Sequence, residues 1–134
     1  MFNKASFRDF ATRYTAAWCS QNAAIVAAFF SPDGSLKINE GEPSIGRPAI
    51  TVAAQGFMTA FPDLCVMMDD LAIQDAQHAT YHWTLTGTNI GAGGTGNSVR
   101  ISGFEQWEIG DEDLILTSLG QFDANDYTRQ LQGI

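Results

Sequence analysis

His78-Ala-Thr-Tyr-His-Trp-Thr-Leu-Thr-Gly-Thr-Asn89 reads as a strand with two unlike faces. Side chains two apart share one side of a sheet. Tyr81, Trp83 and Leu85 therefore fall together, with His82, Thr84 and Thr86 opposite. The same alternation recurs on either side, predicting further strands at Cys65 to Ile73, Ser98 to Ile109 and Leu114 to Phe122. Turn-forming residues separate them at Gln74 to Gln77, in the glycine-rich Ile90 to Asn97, and at Gly110-Asp-Glu-Asp113. Such a meander is the signature of an antiparallel sheet.

Upstream the period changes from two to between three and four. Phe7, Phe10, Ala11, Tyr14, Ala17 and Trp18 form one stripe, predicting a helix from Ser6, as its cap, to Ser20. Asn22 is placed to cap a short buried helix, Ala23 to Phe30, which Ser31-Pro-Asp-Gly34 breaks. Leu36 and Ile38 suggest a short strand, and Gly41 to Gly46 a loop. Pro48 suits the first turn of a third helix with the stripe Ile50, Ala54, Phe57, Met58 and Phe61, ended by Pro62. Helices first and a long meander afterwards predict an α+β fold, three N-terminal helices packed in the concave face of a curved, mostly antiparallel sheet.

The chain has 134 residues, 45% hydrophobic and 16% charged, which fits one domain spanning 1–134. A net charge of −8 disfavours a sequence-independent grip on nucleic acid or an anionic membrane. The longest apolar run, Ala23 to Phe30, falls far short of the ~20 residues of a membrane span. No basic segment followed by an apolar one opens the chain, so a cytoplasmic location is expected. Cys19 and Cys65 lie far apart in sequence, which suggests neither a disulfide framework nor a zinc site and predicts buried free thiols.

In the predicted strands, Glu105 shares a face with Ile101, Gly103, Trp107 and Ile109, an acid in apolar company. Ile115, Leu119, Gln121 and Asp123 share parity in the last strand, placing Asp123 at its inward end if no bulge intervenes. Trp18, Phe57, Trp83, Trp107 and Gln121 are the candidate walls of a substrate pocket. The outer face, with His82, Thr84, Thr86 and Gln106, is polar but poor in charge, which suits a homodimer interface.

Phe61-Pro-Asp-Leu64, Trp83-Thr-Leu-Thr-Gly-Thr-Asn89, Thr95-Gly96, and Gln121-Phe-Asp123 followed by Gln130-Leu131 resemble the SnoaL-like polyketide cyclases. That family belongs to the superfamily with the cystatin-like cone of nuclear transport factor 2. The resemblance implies a general acid/base aspartate at Asp123, seven residues before Gln130. Tyr14 is similar to a tyrosine that donates to an oxyanion in ketosteroid isomerases, and Glu105 falls where those enzymes carry a protonated acid. Asp123 can equally cap a C-terminal helical turn, Tyr14 can be an ordinary core tyrosine, and Glu105 can sit at a rim or in a buried pair. Ile38 stands where the isomerase base would fall, and Trp83 and Leu85 where limonene epoxide hydrolases need Arg-x-Asp. Both departures disfavour those reactions. The resemblance implies a cofactor-free, metal-free enzyme acting on a hydrophobic, carbonyl-bearing small molecule, for example by aldol-type cyclisation. A non-catalytic ligand-binding or interaction module is the alternative.

Overall fold

Asn3, not Ser6, opens the first helix. Its side chain accepts from the Ser6 amide at 2.8 Å, and α1 runs Lys4–Cys19 in a computed structural model that describes residues 2–134. Asn22 caps α2 (Ala23–Ala27) as expected, but the helix is shorter than expected, because Phe30 already pairs with Ile115 in the sheet. There follow β1 (Phe30–Ile38), β2 (Ser44–Ile45), α3 (Arg47–Ala60), β3 (Cys65–Ile73), β4 (His78–Thr88), β5 (Ser98–Ile109), β6 (Ile115–Phe122) and α4 (Ala124–Gln132). The six strands make one sheet in the order β2-β1-β6-β5-β4-β3, antiparallel except for β1 beside β6.

The α+β architecture is as expected, with a fourth helix at the C-terminal end. Phe7, Phe10, Tyr14 and Trp18 of α1 enter one core with Val26 of α2 and Ile50, Ala54 and Met58 of α3. Their counterparts on the sheet are Tyr81 and Leu85 of β4 and Ile101 and Trp107 of β5. Among the described residues no helix is long and apolar enough to cross a membrane.

The last strand departs from simple alternation. Ile109 pairs with Ile115 but Glu108 pairs with Thr117, so Leu116 is an extra residue, a β-bulge. On the other side β1 answers it, with Ser31-Pro-Asp-Gly34 lying between the pairs Phe30–Ile115 and Ser35–Thr117. That tetrapeptide is therefore an irregular part of β1 rather than a break before it. Beyond Leu116 every side chain of β6 changes face. Ser118 is fully buried while Leu119 is 44% exposed. Gln121 pairs with Phe104 on the outer side, and Asp123 follows the same parity.

The quoted motifs turn out to be fasteners. Asp63 accepts from the Thr88 amide at 2.7 Å and from its hydroxyl at 2.9 Å. Asn89 donates to the Ala60 carbonyl and accepts from the Thr95 amide, pinning the glycine-rich loop to the end of α3. Gln130 accepts from the Arg100 amide at 2.6 Å and donates to its carbonyl at 3.0 Å, tying α4 to β5. Gly103 lies opposite Trp83 and Phe122, where a Cβ would fall 2.2 Å from the Gln121 carbonyl oxygen and 2.7 Å from the Trp83 ring. Gly103→Ala should therefore cost about 3 kcal/mol, read by urea unfolding, because one of the two contacts is rigid backbone.

Candidate functional site

The stripe on α1 carries Tyr14 into the centre of the cone, where it has no exposure. Its hydroxyl lies 2.9 Å from Glu105 Oε1 and 3.2 Å from Oε2. Trp107, two residues along β5 on the same face, donates from Nε1 to Oε1 at 3.0 Å. Ser118, turned inward by the bulge, donates to the same oxygen at 2.7 Å. One carboxyl thus collects donors from α1, β5 and β6, and Oε1 takes nearly all of them.

Aromatic packing fixes these donors. Trp107 stacks on Tyr81 with ring centres 4.9 Å apart, and Tyr14 meets both edge-on at 5.2 and 5.5 Å. Tyr81 in turn shares a hydrogen bond with Thr15 one position along α1. Burial pushes the Glu105 carboxyl above its ordinary range, opposed by the hydrogen bonds from Ser118, Trp107 and Tyr14. Burial, and secondly the charge of Glu105, push the Tyr14 hydroxyl well up, so Tyr14 remains a donor.

Beside this carboxyl is a cavity of about 50 Å³, or about 550 Å³ when all the space in its open mouth is counted. Trp18, Phe57, Trp83 and Phe122 supply aromatic walls, Leu36, Ile38, Val66, Leu85 and Ile101 the aliphatic ones, and Glu105 the only carboxylate. Trp83 Nε1 is buried and, among the described residues, is the one such side-chain polar atom without a partner. No group of three or more His, Cys, Asp or Glu able to hold a metal ion occurs among the described residues.

Of the residues expected to wall a pocket, Trp18, Phe57 and Trp83 line this cavity. Gln121 borders the cavity but is exposed and has outer parity. Trp107 is not in the wall; it stands behind Tyr81 and serves Glu105. Tyr14 likewise reaches the cavity only through Glu105. Asp123 is not inward. It is exposed and caps α4, its carboxylate accepting from the Asp126 amide at 3.0 Å. The bulge at Leu116 is the physical reason, and it also conceals Ser118 from a parity count. The one mark of it in the sequence is Leu114-Ile-Leu116, three consecutive apolar residues that cannot all face one side.

Residues 8–131 match the family described as SnoaL-like polyketide cyclase, and the chain belongs to that family. The fold is similar to that of TsrD from Streptomyces laurentii, at 18% identity with a TM-score of 0.83 and all of both chains covered. It is also similar to a hypothetical protein from Catenulispora acidiphila with a ketosteroid isomerase-like fold, solved with trimethylamine. There identity is 15% and the TM-score 0.81, covering 92% of each chain. A putative polyketide cyclase from Xanthomonas campestris shares 16% identity and a TM-score of 0.74, covering 92% of this chain and 95% of its own. No curated protein matches the chain.

Tyr14→Phe removes one donor from a buried carboxyl. It should cost about 1–3 kcal/mol in urea unfolding and move the Glu105 titration further upward, read by carboxyl NMR. Asp123→Ala should cost about 1 kcal/mol, the worth of a cap, and leave the Glu105 titration in place.

Proposed function

We propose that the protein is a cyclase-type enzyme in which Glu105, rather than Asp123, exchanges the proton with an apolar, carbonyl-bearing substrate. The observation that carries this reading is the asymmetry of the Glu105 carboxyl. Oε1 receives Tyr14, Trp107 and Ser118, while Oε2 shares only Tyr14 and keeps capacity for a bound molecule at the cavity wall. An elevated affinity for protons suits such a group to take one from carbon beside a carbonyl. Trp83 lines the same cavity and its buried Nε1 has no partner, so a turn of the ring would offer a donor to the oxygen on which negative charge then develops.

In an aldol ring closure the balance is internal. Glu105 takes the α-proton, the enolate carbon forms a bond to a second carbonyl carbon, and the resulting alkoxide takes the proton back. The protein ends unchanged, and the apolar walls supply the folding of the substrate that brings its two ends together.

A polycyclic ketone such as 1-tetralone, followed by NMR in heavy water, tests the first half of this chemistry. Exchange of the α-hydrogens should be accelerated by the wild-type protein, slowed by about 10²–10⁴-fold in Glu105→Gln and unchanged in Asp123→Asn. Loss on Asp123→Asn with Glu105→Gln active would overturn the assignment. A rise in melting temperature with the ketone but no exchange would favour a binding module.

The pH dependence has a definite sign. The folded state holds the Glu105 proton above 4.5, the carboxyl's ordinary value, whereas the unfolded chain releases it there. Stability from this group is therefore complete below 4.5 and declines as pH rises through the raised folded value, while the base form that exchange requires becomes populated over the same window. Glu105→Gln should be more stable relative to wild type at pH 7 than at pH 4, read by urea unfolding at both.

A further inference from the structure

Cys19 and Cys65 take no part in the chemistry of the cavity, and they are not the buried, separate thiols that their sequence spacing suggested. Cys65 is exposed and Cys19 half-buried. The Cys19 sulfur accepts from the Val66 amide at 3.2 Å and donates to the Val66 carbonyl at 3.3 Å. Val66 directly follows Cys65, so bond lengths alone put the Cys19 sulfur within about 6 Å of the Cys65 Cα. Partial burial and the neighbouring Cys19 thiol raise the Cys65 thiol above its ordinary range.

We propose that Cys19 and Cys65 form a reversible intramolecular disulfide that ties the end of α1 to the start of β3. The Cys19 sulfur is held beside the main chain at Cys65, and closing the bond requires the two sulfurs to approach to about 2.05 Å. A low-molecular-weight disulfide such as oxidised glutathione serves as oxidant. The exposed Cys65 thiolate attacks one of its sulfurs and releases a first glutathione thiolate. The Cys19 thiolate then attacks the Cys65 sulfur of the mixed disulfide and releases the second. Two protein thiols lose two electrons and two protons, and one disulfide is reduced to two thiols. Cys19 gives up its donation to the Val66 carbonyl, while its sulfur remains an acceptor for the Val66 amide.

The bond closes a loop that contains α2, β1, β2 and α3. Trp18 and Val66, the residues adjoining the two cysteines, are both cavity walls, so the bond braces that side of the cavity.

The test is to equilibrate the whole chain with excess oxidised glutathione at about pH 8.5 for many hours, because the raised Cys65 thiol leaves its reactive thiolate in the minority. Intact mass without reductant, free-thiol titration and the melting temperature are then read. The expected result is a monomer lighter by two hydrogens, with both thiols unreactive and a Tm higher by several degrees, all reversed by dithiothreitol. Cys19→Ser should instead stop at a glutathione adduct on Cys65, and Cys65→Ser should show no such Tm rise. Two free thiols at equilibrium, a stable glutathione adduct on the wild-type chain, or a dimer linked through Cys65 would each overturn the proposal.

Discussion

A carboxyl withdrawn from water must be met by donors, and the interior of this cone is arranged around that requirement. Glu105 is 7% exposed, and its donors arrive from a helix, from its own strand and from the strand beside it. An orphaned buried carboxylate is more costly than most of the packing contacts around it. The phase of α1, the pairing of β5 with β6 and the stacking of Trp107 on Tyr81 therefore hold as a set. Shifting α1 by one residue would turn the Tyr14 hydroxyl away and replace it with a side chain of another kind.

Much of this was legible in the sequence. Alternation and turn residues located β3 and β5 to the residue and β4 to within one, since β4 and β5 each bury one face and leave the other largely polar. The same count put Glu105 inward and Tyr14 on the buried stripe of α1. For the site residues, parity arithmetic then failed in β6. A bulge adds a residue without altering the composition of a strand, so Leu116 moved Ser118 into the site and Asp123 out of it. The neighbouring cysteines were hidden for a different reason. Their proximity belongs to the docking of α1 on β3, a tertiary fact with no local trace.

Most of the residues that carry the family resemblance join elements rather than line the cavity, Trp83, Leu85, Gln121 and Phe122 excepted. Asp63, Asn89 and Gln130 join helices to strands through main-chain hydrogen bonds. Trp18, Phe57 and Phe122 shape the hollow between those joints. A scaffold built in this way tolerates changes in its walls while its fasteners stay put, which is how one fold comes to serve several reactions.

The contact between Cys19 and Val66 bears on more than sulfur chemistry. β3 is the outermost strand on its side of the sheet, and such a strand offers unused amide and carbonyl groups to any passing chain. At Val66 both groups are occupied by one sulfur atom held at the end of a helix. The opposite border is β2, only two residues long and so a poor template for further pairing. The two rims of this sheet are thus guarded by unlike means: brevity at one, and at the other a helix whose last sulfur takes up the main-chain groups of Val66.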